Sequence, residues 1–190
     1  VRVADGAALP PNEDARTLQA WTRLEALAKA DGQGIGRTLA RLGIPILRTL
    51  SGSALMEGGS FAWINERTAV IGCGIRVNRE GAEQVGEVLK RQGVELLIID
   101  LFGYDLHIDG SFQMISKDLA IVDPFGLPYS FLQKLKELNV QTVEISPADD
   151  RWIINSLAVA PGELLMPEGA SNQTLDALAK HGVSWTVVPY

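Results

Sequence analysis

Cysteine, histidine, aromatic and basic side chains are scarce in this chain of 190 residues, and each scarcity excludes something. A single cysteine, Cys73, cannot close an internal disulfide and gives no support for an oxidising compartment. Of the two histidines, His107 and His181, neither has a third and fourth ligand at metal-site spacing, so no metal is expected. Trp21, Trp63, Trp152 and Trp185 are spread out and form no stacking array for bases. The 17 basic residues are outnumbered by 23 acidic ones, giving a net charge of −6. Such a surface repels phosphate backbones, which argues against a nucleic-acid partner. No apolar run approaches the roughly 18 residues of a membrane span. The chain begins at Val1 without a signal-peptide pattern, so it reads as a cytoplasmic protein and as a processed or partial product. The run Gly32-Gln33-Gly34-Ile35-Gly36 follows no clear strand and reads as a helix break, not a phosphate loop. No metal, nucleotide or flavin cofactor is implied.

What is present is a repeat. Short apolar segments at 61–64 and 68–73 read as strands, a 3.6-residue pattern over 80–92 as a helix, and the run 94–100 as a buried strand. The order returns at 112–115, 119–122, 129–138 and 140–145. It returns again at 154–159, 163–166, 172–181 and 183–188. Each unit is β-β-α-β, with a period of about 44 to 50 residues. Residues 1–50 fit a partial unit: a strand at 1–4, a helix over 16–42 and a strand at 44–47. The expected organisation is one incomplete α/β domain, with units at 1–50, 51–103, 104–147 and 148–190. Repeats of this kind bury their apolar faces against neighbours, so residues are expected to be missing at both ends.

Three clusters carry potential chemistry. Glu57-Gly58-Gly59 precedes a strand, where paired glycines can hold a carboxylate at its entrance. Leu106-His107-Ile108-Asp109-Gly110 reads as a strand end with His107 and Asp109 on one face; His107 sits beside carboxylates while His181 ends a helix, which makes His107 the better acid/base candidate. In Arg76-Val77-Asn78-Arg79-Glu80, Asn78 can cap the helix and Arg76 can grip a carboxylate through its fork. Taken singly, each cluster also reads as an ordinary polar turn, and that is the commoner case. Cys73, between glycines on a strand, reads as a small buried hydrophobe.

Together these clusters resemble the guanidino-group-modifying branch of the pentein superfamily: arginine deiminases, dimethylarginine dimethylaminohydrolases and amidinotransferases. The resemblance is carried by Met56-Glu57-Gly58-Gly59-Ser60, by 74–81 and 106–112, and by Asn155-Ser156-Leu157-Ala158-Val159-Ala160-Pro161-Gly162. It implies an α/β propeller of five ββαβ units around a central site. It also implies a cysteine thiolate attacking the guanidinium carbon. On that resemblance Glu57 and Asp109 bind the guanidinium and orient His107, and His107 is the general acid and base. Arg76 holds the substrate carboxylate, and Asp5 matches an early guanidinium-binding aspartate. The expected partner is a small guanidino compound such as arginine, and a homo-oligomer is compatible. There are two departures. Ser60 stands where the family often has aspartate, and the family's Gly-Gly-x-His-Cys-x-Thr nucleophile motif does not occur in these residues. The nucleophile is therefore expected beyond Tyr190. The expected activity is C–N hydrolysis of an arginine-like amidine. Amidino transfer to an amine and a non-catalytic pentein-fold binding protein are the alternatives.

Overall fold

The computed structural model describes Gly43, Ile44 and residues 46–189. Contacts separate Val1–Thr49 from Leu50–Tyr190, and every element below lies in the second unit. The strand at 1–4 and the helix over 16–42 fall outside the described residues. The strand expected at 44–47 does not form: Ile44, Ile46 and Leu47 are irregular and exposed. No strand among the described residues pairs with them.

Three ββαβ units follow one another. The first is β1 (Phe61–Asn65), β2 (Thr68–Cys73), α1 (Arg79–Arg91) and β3 (Glu95–Asp100). The second is β4 (Phe112–Ser116), β5 (Leu119–Val122), α2 (Tyr129–Glu137) and β6 (Gln141–Glu144). The third is β7 (Leu157–Ala160), β8 (Glu163–Pro167), α3 (Asn172–Lys180) and β9 (Ser184–Val188). In each, the hairpin is antiparallel, and the helical crossover makes the third strand parallel to the second. All three hairpins have an irregular register at the same place, between Trp63 and Asn65, Met114 and Ser116, and Ala158 and Ala160. These are three separate small sheets, not one closed barrel.

The helices also end alike. Gly93, Asn139 and Gly182 follow the three C-caps with φ of 75°, 58° and 72°, the left-handed region. The next residue, Val94, Val140 or Val183, donates its N–H to Leu89, Leu135 or Leu178. That is a Schellman ending in which the valine stands beside the leucine it bonds. It turns the chain straight from helix into strand.

Neighbouring units share their cores. Ile64 and Val70 of the first unit are buried with Phe112, Phe131 and Leu135 of the second. Ile115 and Ile121 of the second are buried with Leu164, Met166 and Leu178 of the third. Among the described residues, the face of β2 toward α1 keeps its core within its own unit, with Ile71, Cys73, Val77 and Ala82 in one cluster and Ala69, Leu89 and Val94 in another. Burial between units brings β1 against β4 and β4 against β7, and so brings the segments entering these strands together. No helix of the described residues is long and apolar enough to cross a membrane.

Candidate functional site

A short 3-10 turn leads into each unit: Gly58–Ser60, Ile108–Gly110 and Arg151–Ile154. Glu57 and His107 enter the first two turns with extended backbones, at φ −124° and −142°. Because the two turns are in contact, these residues of successive units face each other.

His107 Nε2 lies 2.6 Å from Glu57 Oε2. A carboxylate only accepts, so Nε2 donates. On the other side of the ring, Nδ1 is 4.0 Å from Asp109 Oδ1. Arg76 Nη1 donates to Glu57 Oε1 over 3.4 Å. The structure therefore brings four of the sequence-expected residues into one cluster: Glu57, His107, Asp109 and Arg76. The fifth, Asp5, lies outside the described residues. The side chains stay partly open to solvent, His107 at 29% and Glu57 at 43% exposure. The long Arg76–Glu57 pair is half-exposed, and such a pair holds with only about 0–1 kcal/mol.

The route by which His107 and Asp109 meet differs from the expectation. The segment is not a strand. His107 precedes the turn Ile108–Gly110 and Asp109 sits inside it, closed by the Ser111 N–H on the Ile108 carbonyl. Ile108 is fully buried between the units and anchors the turn. The strand expected from 154 also starts later. The turn Arg151–Ile154 precedes it, capped by Asp150, and Ser156 Oγ donates to the Ile153 carbonyl. These local bonds compete with ladder pairing until Leu157.

Gly59 lies directly under the site. A Cβ there would come 2.7 Å from Asp109 Oδ2 and 2.9 Å from His107 Cγ. The glycine is needed for close approach, so Gly-Gly does more than shape a turn. Burial is the largest influence on the Asp109 carboxyl and pushes its pKa above the ordinary aspartate value, against the pull of His107 and nearby backbone N–H groups. Ser60 is fully buried, and its Oγ donates to the Leu106 carbonyl over 3.3 Å. In this chain the position ties the Glu57 turn to the His107 segment and contributes no charge. Cys73 is buried in an apolar cluster, and desolvation raises its thiol pKa. That is the opposite of what a nucleophile needs. Among the described residues no group of three or more His, Cys, Asp or Glu could hold a metal ion.

Sequence reasoning missed a second cluster beside the first. Arg151 takes Asp105 in a two-pronged grip, Nη1–Oδ1 2.8 Å and Nη2–Oδ2 3.1 Å, and Nη2 also reaches Ser111 Oγ. Its buried Nε is 2.7 Å from Asp123 Oδ2, an ion pair without an aligned hydrogen bond. Nothing local to Arg151 marks it, since its partners lie 28 to 46 residues away, the Asp105 end being separated by 46.

Comparison with solved structures finds the same arrangement of elements elsewhere. The N-terminal domain of ArgZ, an arginine dihydrolase from cyanobacteria, superposes with a TM-score of 0.69 over 82% of this chain and 57% of its own, at 17% identity. The dimethylarginine dimethylaminohydrolase DDAH of Pseudomonas aeruginosa gives a TM-score of 0.60 over 74% of this chain and 51% of its own, at 18% identity. SxtG, an amidinotransferase from Microseira wollei, gives 0.59 over 70% and 41%, at 16% identity. The chain has the pentein fold. It spans only 41% to 57% of the length of these three structures. No protein-family model and no curated protein sequence matches it.

Proposed function

We propose that the protein is a hydrolase of the C–N bonds of an arginine-like amidine, and that these residues form the binding and proton-transfer part of its site. The observation that carries the reading is one imidazole flanked by two carboxylates, Glu57 at 2.6 Å and Asp109 at 4.0 Å, in a half-open cluster. A planar guanidinium offers paired N–H groups that such carboxylates accept. A guanidinium arriving at Glu57 displaces Arg76 from a weak, long contact and frees its fork for a substrate carboxylate. The pentein-fold neighbours support the substrate class. DDAH was solved with citrulline as a cysteine-to-serine variant, and the ArgZ domain with substrate as another and covalently bound to a reaction intermediate as a third form.

In this reading a thiolate adds to the guanidinium carbon, and the bond to the departing nitrogen breaks as His107 gives that nitrogen a proton. His107 then takes a proton from water as the water oxygen attacks the same carbon. The C–S bond breaks and the thiolate returns. Cys73 does not serve, because it is buried and its ionisation is opposed. The thiolate this reading needs is one the 190 residues do not contain. Amidino transfer is the second reading, favoured by the likeness to SxtG. The test is incubation of the intact protein with arginine, with and without glycine. Citrulline and ammonia support hydrolysis, guanidinoacetate and ornithine support transfer, and no turnover of any guanidino compound overturns both.

A further inference from the structure

The side chains that would act on a substrate sit on the segment 107–109, and this segment is held at both ends by one residue of the next unit. Asp105, two residues before His107, takes both terminal nitrogens of Arg151. Ser111, two residues after Asp109, receives Arg151 Nη2 at its hydroxyl. Asp123, buried at the end of β5, holds the third side of the guanidinium through Nε, and accepts the Phe125 N–H over 2.9 Å. The Ser111 carbonyl in turn accepts the Asp123 N–H over 2.9 Å, which closes the frame. Space for Arg151 is reserved. A Cβ on Gly126 would fall 2.6 Å from Arg151 Nη2 and still nearer Ser111 Oγ. Counted back from the helix caps Asn78 and Pro128, Gly126 stands where the first unit has Arg76. The first unit supplies its own arginine beside Glu57, whereas the second leaves the position empty of side chain and accepts an arginine from the third.

We propose that Arg151 is a positioning residue for His107, clamping the His107–Asp109 turn so that the imidazole stays in register with Glu57. A bidentate pair is directional, so it fixes the orientation of the Asp105 carboxylate as well as its distance. Its partly buried setting shields it more than a surface pair. The groups facing His107 among the described residues are Glu57 from the first unit and Asp109 from its own turn. Arg76 lies behind Glu57, and Arg151 touches none of the three. Any effect of Arg151 on the imidazole therefore travels through the turn.

The proposal rests on the guanidino reading only for its effect on turnover, so its test begins with a signal that needs no substrate. In the intact, nitrogen-15-labelled protein, the His107 Nε2–H bonded to Glu57 gives a downfield, slowly exchanging proton resonance, assigned by its loss in His107→Asn. Arg151→Met is expected to abolish that resonance while leaving the His181 ring signals in place. Arg151→Lys, with the charge but not the fork, restores it only in part. With a turned-over guanidino substrate, Arg151→Met lowers kcat by about 10- to 100-fold and leaves KM within about twofold. A folded Arg151→Met protein with the His107 resonance unmoved overturns the clamp. Where that variant fails to fold, Asp105→Asn decides on the same terms, because it leaves Arg151 paired with Asp123 and Ser111. Loss of the resonance in a protein that turns over no guanidino compound upholds the clamp and sinks the functional reading; turnover with an unmoved resonance does the reverse.

Discussion

Gly59 and Asp109 show how closely the site is fitted at the scale of single residues. A methyl group on Gly59 would occupy the space of the Asp109 carboxylate and the His107 ring. Gly59→Ala is expected to lower affinity for a guanidinium ligand by at least about tenfold, the loss of one well-placed charged contact, measured by titration calorimetry. Asp109 predicts a pH dependence of definite sign. Its carboxyl pKa is raised in the folded protein, chiefly by burial. The stability this group contributes is therefore full below its unfolded pKa and is lost as pH rises through the folded value. Once ionised, the carboxylate is a cost to the fold that, on the proposed function, a bound guanidinium would relieve. Guanidinium affinity should fall as pH drops through the raised pKa of Asp109. Asp109→Asn should remove the binding without lowering the melting temperature. A clear drop in melting temperature would contradict this account of the carboxylate.

At the scale of elements, the two ends of the helices repay separate treatment. Asn78 caps α1 by accepting the Gly81 N–H over 2.8 Å, and it also accepts the Leu55 N–H over 3.0 Å while donating to the Ser53 carbonyl over 2.7 Å. It thereby fastens the segment before Glu57 to the helix. Asn78→Ala should cost about 1–2 kcal/mol, read by urea unfolding, and should loosen the Glu57 turn. At the other end, Asn139 holds the left-handed position that glycine fills in the other two units. Asn139→Gly should leave stability unchanged or raise it, whereas Asn139→Val should lower it by about 1–2 kcal/mol, since a β-branched side chain is strained at positive φ.

Across the whole molecule, shared cores bind the three units into one folding entity. Leu178 of α3 is fully buried with Ile115 and Ile121 of the second unit, and Phe131 of α2 with Ile64 and Val70 of the first. Phe131 also meets Phe112 edge-on, with ring centroids 5.2 Å apart. Leu178→Ala should cost about 2–5 kcal/mol. Because the cores interlock, protection of amides in β2 should fall along with that in β8, measured by hydrogen exchange. Loss confined to the third unit would mean that the units fold independently.

The ββαβ order was legible because each element depends on its own neighbours in the chain. Short apolar runs and 3.6-residue apolar patterns are local signals, and β2, β5 and the three helices lie where these patterns put them. Glu57, His107, Asp109 and Arg76 were legible as residue types in a recognisable order. The turn that carries Asp109 was not, because hydrogen bonding by Ser111 and burial of Ile108 between units override the alternation of an extended segment. Ser60 as a tie and Arg151 as a clamp were invisible for a related reason. Their partners are 28 to 46 residues distant in the chain and are brought within reach only when apolar faces of successive units bury each other. The sequence alone determined the repeating elements and the chemistry available to them. The tertiary structure decided which carboxylate meets which nitrogen, because hydrogen-bond geometry between units follows from how their cores pack and not from the pattern within any one of them.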